Sequence, residues 1–401
     1  MEVRIVRSSL TTGRSATGFE MQSTSTISQV FSSFSSLDSN VSLATPSLHL
    51  HSHETPKPSI SHLCISSFKT LNSQISCLAV HNNTLYAASI NEINVFDLTN
   101  YALIDTFSCN DSTSGLIKSI AFCGQKIFTA HQDRKIRVWQ VTVTGSSKRH
   151  RLVSTLPTVK DRLRRCISPK NYVQVRRHKK QLWIEHADAI SDLAVNQGLM
   201  YSVSWDKSLK IWRMSDLRCL ESVRAHEDAV NAVAVSVAGT VYTASADGMI
   251  KVWERTDGER RHALMSTLDK HKSTVNALAL SDDGSLLFSG GVDRLILVWE
   301  KVDSPDHMFV RWSLKGHKAA VLCLIYVDEL LVSGSSDRTV RVWQRVVEGG
   351  YCCLTVLEGH ERPVKSLVAV LGGVSGSFSV CSGSLDGDNG IKDDAIEILL
   401  A

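Results

Sequence analysis

The feature that most constrains this chain is a phrase it repeats. "IFTAHQDRKIRVW" (residues 127–139), "MYSVSWDKSLKIW" (200–212), "VYTASADGMIKVW" (241–253), "LFSGGVDRLILVW" (287–299) and "LVSGSSDRTVRVW" (331–343) follow one plan, and "VCSGSLDG" (380–387) begins it again without finishing. Trp139, Trp212, Trp253, Trp299 and Trp343 close the copies, and the last three intervals are 41, 46 and 44 residues. Phe96 occupies the Trp slot 43 residues before Trp139. The 73-residue gap from Trp139 to Trp212 is one such interval plus about 30 extra residues. A catalytic centre is normally written once, so a phrase written along the whole chain describes a structural unit.

Within each unit, short runs rich in Val, Ile and Leu alternate with polar turns, which is the pattern of strands. Nothing reads as a long amphipathic helix. A repeat of 40–45 residues built from four short strands is the period of a β-propeller blade. The inner strands start near Ile75, Ile117, Ile190, Val230, Val275, Val321 and Val364, which predicts an all-β, seven-bladed propeller over residues 62–401. After Asp386, "GDNGIKDDAIEILLA" offers no closing Trp, so the last blade is atypical from residue 387 and is expected to be the least ordered. "HLCISSFKTL" (residues 62–71) reads as an outer strand lent to that blade, which would remove a free edge.

In each copy a hydroxyl residue stands four places before a turn Asp: Thr129 and Asp133, Ser202 and Asp206, Thr243 and Asp247, Ser289 and Asp293, Ser333 and Asp337, Ser382 and Asp386. Upstream stand Gly316-His317 and Gly359-His360, while His186, His226 and His271 keep the His without the Gly. On these residues the chain resembles the WD40 family. The Asp that follows Trp in the family's name is replaced here by Gln140, Arg213, Glu254, Glu300 and Gln344. The resemblance implies a structural chain in each blade: His186, Ser202, Asp206 and Trp212; His226, Thr243, Asp247 and Trp253; His271, Ser289, Asp293 and Trp299; His317, Ser333, Asp337 and Trp343. Chemically, Asp accepts from the imidazole, the imidazole bonds the hydroxyl, and the hydroxyl accepts from the indole N–H, so each buried polar group has a partner.

The same residue types invite a hydrolase reading. A Ser–His–Asp triad occurs once and needs an exposed nucleophile and an oxyanion hole. Here the set recurs, each time tied to Trp. No phosphate-cradling P-loop, zinc-binding H-E-x-x-H or nucleophile-elbow G-x-S-x-G is present. "LGGVSGS" (371–377) reads as a loop, and the alternating histidines of "HLHSHE" (49–54) lack cysteines beside them. The expectation is a non-enzyme with no cofactor and no metal.

Composition sharpens this. The ten cysteines form no framework and several fall in apolar runs, as expected of reduced thiols in a cytoplasmic or nuclear protein. No apolar run is long enough to span a bilayer, and no apolar segment follows Arg4 and Arg7 to make a secretory leader. Residues 1–61 read as a disordered Ser/Thr-rich tail, with 22 Ser or Thr in the first 60 residues. The net charge of +4 is unevenly placed, because Lys148 to Lys180 holds twelve Lys or Arg and one acid, Asp161. That basic character belongs to an insertion (145–181) between the second and third units, read as a solvated loop in which "YVQV" and "LWIE" pack as outer strand.

"YVQVRRHKK" (172–180), with "STLPTVKDRL" (154–163), is similar to the plant Jingubang-like subfamily of WD40 proteins. That resemblance covers residues 60 to 386 and implies a cytoplasmic or nuclear plant regulator working through protein partners. Candidate partner-binding residues are Gln132 and Trp205, which precede turn Asp residues, and the cations Arg164, Arg165, Arg176, Arg177, Lys179 and Lys180. In the family, the residue before each turn Asp faces the partner surface. An aromatic beside a polar turn is hot-spot chemistry. An acidic protein is the first-choice partner of the cations and nucleic acid the second, because only Tyr172 and Trp183 offer stacking rings. The cluster also fits a nuclear address. A ubiquitin-ligase substrate receptor is a third reading, but its Trp-Asp-x-Arg motif is absent. The ring is expected to be monomeric.

Overall fold

The computed structural model describes residues 2–10, 60–69, 74–109, 113–144, 147–255, 261–302, 304–346, 349–371, 378–385 and 399–400. Six four-stranded antiparallel sheets follow one another as residues 75–108, 117–156, 190–224, 230–268, 275–314 and 321–357. These are blades one to six, each with its strands side by side in chain order. The first strand of each blade packs against the first strand of the next, and the strand Val364–Leu371 lies between those of blades six and one.

The seventh sheet is built differently, so the expectation of seven blades is corrected to six. Val364–Leu371 pairs with Phe378–Ser384, but no third strand is described between Ser384 and Leu399. Glu2–Leu10 takes that place, antiparallel to Phe378–Ser384 with Val3 opposite Gly383. Ile60–Lys69 pairs outside it, and Leu399–Leu400 runs parallel to Arg7 and Ser8. Glu2–Leu10 thus departs from the disordered-tail reading. Its Val3-Arg4-Ile5 alternation suits a strand, and the bare edge of Phe378–Ser384 supplies the hydrogen bonds. Residues 11–59, the alternating histidines at 49–53, the loop 372–377 and Asp386 lie outside the described residues.

The insertion also differs from its expected form. The outer strand of blade two is Ser147–Leu156. After it come an α-helix, α1 (Val159–Cys166), a short 3-10 turn (Pro169–Asn171) and a separate hairpin of Tyr172–Arg176 with Lys179–Leu182. Thr158 caps α1 by accepting the Asp161 N–H at 3.1 Å, a local signal that was present in "TVKD".

The core is a set of slabs between neighbouring sheets. One slab joins Tyr242, Val252 and Ile250 of blade four to Leu287 and Trp299 of blade five. Another joins Cys381 of the closing sheet to Ile75, Leu78 and Leu85 of blade one. The sheets approach closely where the second strand carries a small residue. A Cβ at Gly334 would lie 2.8 Å from Val364 Cγ1, and one at Gly383 would lie 2.4 Å from Ile75 Cγ2. Those glycines are needed for close approach.

Every inner strand shifts register between its first and third residues, which marks its second residue as a bulge. The bulge turns polar groups toward the next blade. Ser191 Oγ donates to the Val230 carbonyl at 2.5 Å, Asn231 Nδ2 to Val275 at 3.0 Å and Asn276 Nδ2 to Val321 at 2.9 Å. One residue on, Ser119 Oγ, Asp192 Oδ2 and Ser366 Oγ accept from Leu193, Val233 and Leu78 N–H at 3.2, 3.0 and 2.9 Å. These bonds stitch the inner ring and set how its mouth is lined.

Candidate partner-binding face

The face is framed by the polar chains. In blade three, His186 Nδ1 meets Asp206 Oδ2 at 3.1 Å, His186 Nε2 meets Ser202 Oγ at 2.8 Å, and Trp212 Nε1 donates to Ser202 Oγ at 2.8 Å. The indole N–H occupies the hydroxyl as acceptor, so Ser202 donates to Nε2 and the imidazole proton sits on Nδ1, facing the carboxylate. Blades four, five and six repeat the geometry. His226 lies 3.0 Å from Asp247 and 2.8 Å from Thr243, His271 2.9 and 2.7 Å from Asp293 and Ser289, and His317 2.9 and 2.7 Å from Asp337 and Ser333. Trp253, Trp299 and Trp343 donate to those hydroxyls at 3.0, 2.8 and 2.8 Å. In the closing sheet His360 Nε2 lies 2.9 Å from Ser382 Oγ.

Each such bond contributes about 1 kcal/mol net, against about 4–6 kcal/mol for burying the indole. Packing supplies the energy and the bonds fix the geometry. Burial holds His186, His226 and His317 below the usual imidazole pKa, against the pull of their Asp partners. Burial works against ionising the carboxylates, but hydrogen bonds and the imidazole more than offset it. Asp206 and Asp247 lie below their ordinary range and Asp337 is pulled down to about 2. In blades three, four and six the chains are thus neutral imidazoles facing ionised carboxylates.

The Asp residues also shape the surface. Asp206 Oδ2 accepts the Ala187 N–H at 2.7 Å and Asp206 Oδ1 the Ser208 N–H at 3.0 Å, tying the turn to the incoming loop. Trp205 rides on this clamp. Its backbone N–H donates to the Ala189 carbonyl at 3.0 Å and the residue is 40% exposed. Lys118 Nζ, from the bulge of blade two, lies 4.8 Å from the centre of that ring. Lys365 is the bulge residue of the closing sheet, and its charge acts on Lys118, Cys77, Asp192 and Cys323. Burial first, then Lys365, holds the Lys118 ammonium below its usual pKa. Ile90 and Val292 add exposed apolar surface at the corresponding turns of blades one and five. Gln132 is exposed, but its Oε1 accepts the Leu116 N–H at 3.3 Å and is committed to its own loop. Reading one blade at a time misses Lys118 and Lys365, because the bulge that each occupies shows only in the register.

The basic cluster divides in two. Arg165 leaves the candidate surface. Its guanidinium stacks 4.5 Å from the Trp183 ring, donates to Asp161 at 3.1 Å and reaches the Cys219 carbonyl at 3.3 Å. Arg164, Arg177, Lys179 and Lys180 are exposed. The Arg176 backbone pairs opposite Lys179, and its side chain lies outside the described residues. Trp183 donates to Asn171 Oδ1 at 3.3 Å beneath Arg165, which leaves Tyr172 as the open ring of the insertion. No helix among the described residues is long and apolar enough to cross a membrane, and no described group of His, Cys, Asp or Glu has the arrangement of a metal site.

The family model for the WD domain, G-beta repeat, matches residues 178–213, 217–254, 263–300 and 309–344. Those matches fall on the blades whose polar chains are complete. The chain is 29% identical over 166 residues to Protein Notchless of Drosophila melanogaster, covering 41% of this chain and 32% of that protein. It is 30% identical over 173 residues to Mitochondrial division protein 1 of Pyricularia oryzae, covering 43% of this chain and 24% of that protein. It therefore spans no more than about a third of either relative. Blades built to one hydrogen-bonded plan, and matched to the repeat where that plan is complete, make this chain a WD40-repeat β-propeller protein.

Proposed function

We propose that the protein is a non-enzymatic platform holding protein partners on the face that bears the turn Asp residues, with Trp205 and Lys118 as the anchor. WD40 propellers are generally protein-interaction scaffolds. The observation that carries the assignment is the half-exposed indole of Trp205, held by a backbone bond and covered on one side by an ammonium. The polar chains of blades three to six have partners for their own groups, whereas this pair has surface to spare, and exposed aromatics next to a cation supply large contact area at low ordering cost. The reading as a cytoplasmic or nuclear plant regulator of the Jingubang-like kind rests on "YVQVRRHKK".

Affinity capture with wild type and Trp205→Ala, beside melting curves, tests the proposal. Trp205→Ala is expected to lose partners with little change in melting temperature, and Asp206→Ala to lower the melting temperature. Equal behaviour of the two variants would remove Trp205 from the site. A second reading, nucleic-acid association through the insertion, is favoured by the exposed Arg164, Arg177, Lys179 and Lys180. It predicts binding that weakens steeply as salt rises.

A further inference from the structure

Helix α1 is built inside out. Val159, Leu163 and Ile167, the last being its C-cap, recur at intervals of four and so share one face. They are 73, 62 and 84% exposed. The opposite face is polar and turned inward. Asp161 is 4% exposed and takes the Arg165 side chain, Arg165 lies on Trp183, and Arg162 Nε sits 3.2 Å from Glu185 Oε1. The polar face is the one packed inward, so no contact among the described residues explains three large aliphatic side chains in a row against water.

The surroundings carry charge of one sign. Lys160 and Arg164 flank the stripe, Lys170 follows it, and all three are exposed. None makes an ion pair among the described residues, and Asp161, the one acid of the segment, is spent on Arg165. Tyr172 stands beside the end of the helix, its hydroxyl donating to the Cys166 carbonyl at 3.2 Å. Protruding aliphatics flanked by unpaired cations, with an amphipathic ring at the margin, fit a helix that lies in a lipid–water interface.

We infer that the insertion is a membrane-surface anchor that seats α1 on an anionic bilayer. A second copy of this chain is a poor occupant, because it would bring these cations against their own kind. The apolar side chains stand out from a convex helix and line no groove. A deformable surface of single negative sign matches both their shape and their charge, and the flanking cations are free to reach lipid phosphates.

Flotation of the full chain with unilamellar vesicles tests this. Binding is expected to vesicles of phosphatidylcholine with phosphatidylserine, to fail on phosphatidylcholine alone, and to weaken as salt rises. Leu163→Ser with Ile167→Ser should abolish it. Lys160→Gln with Arg164→Gln should weaken it roughly 25-fold, about fivefold per cation. Both pairs are at exposed positions, so melting curves should stay at wild type. If the serine pair melts early, an environment-sensitive dye on the exposed Cys166 gives the same test: a blue shift on anionic vesicles is expected for the otherwise wild-type chain and its loss for Ile167→Ser alone. Trp205→Ala should float like wild type, which keeps this result separate from the partner-face proposal. Equal flotation with both lipid compositions, or wild-type flotation of the serine pair, would overturn the inference. So would capture of an acidic peptide by the helix without vesicle binding.

Discussion

Blades four and two carry the same indole and hydroxyl but solve the space around them differently. In blade four, His226 reaches Thr243 and Asp247 from the incoming loop. Blade two has no His in that loop. His131, two residues after Thr129 on the same strand, turns in and places its Nε2 2.7 Å from Thr129 Oγ1, while Trp139 donates to the same oxygen at 2.9 Å. Asp133, left without an imidazole, takes a bidentate Arg137 at 3.1 and 2.7 Å. His131 Nδ1 and Ser114 Oγ are buried with no hydrogen-bond partner among the described residues. Burial, then Arg137, pushes the His131 pKa down to about 3. The indole–hydroxyl pair is therefore the fixed part of the design. The imidazole can enter from another strand, at the cost of two unsatisfied atoms.

The comparison breaks most readily at the two carboxylates. Asp133→Ala removes the bidentate carboxylate partner of the buried Arg137 cation and should cost about 3–5 kcal/mol. Asp247→Ala leaves a neutral imidazole and backbone N–H groups unpaired and should cost about 1–3 kcal/mol. Urea midpoints measured side by side check this, and a larger loss at Asp247 would mean that blade two does not depend on its ion pair.

Acid titration sharpens the comparison at intermediate size. His226 in the folded state has a pKa below its unfolded value, so the unfolded chain binds the extra proton. Its contribution is complete above about pH 6.5 and is lost as pH falls below that. Asp337 adds a second loss as pH falls below 3.8 toward about 2. Stability against urea should therefore decline from about pH 6.5 downward, and His226→Leu should flatten the upper part of that decline while lowering stability at neutral pH.

The smallest expected effect lies in the turn after each Asp, where Gly248 of blade four and Arg134 of blade two hold left-handed backbone at φ 81° and 72°. Arg338 does the same at φ 72°. Arg338→Gly should raise stability by about 0.5–1 kcal/mol, because glycine adopts this conformation without the Cβ penalty. A lower melting temperature for that variant would mean that the Asp337 clamp has removed the strain.

Much of the ring is legible in the chain. The inner strands begin at the residues the repeats mark, from Ile75 to Val364, and the groups of the four complete chains meet as their chemistry requires. What is hidden depends on distant partners. The strand at Glu2–Leu10 exists because of an edge near the far end of the sequence, and its local composition looks like tail. The orientation of α1 is decided by Trp183, Glu185 and Cys219, which no periodicity in "VKDRLRRC" reveals. Lys118 meets Trp205 across two blades, which no single repeat shows.

The sheet that joins Val3 to Gly383 makes synthesis and closure distinct events. During synthesis Glu2–Leu10 must wait for its ladder partner until Phe378–Ser384 has been made. Until then the nascent protein is an open arc with a sticky end, within reach of chaperones and of like arcs from neighbouring ribosomes. The last clasp decides when it becomes a finished wheel.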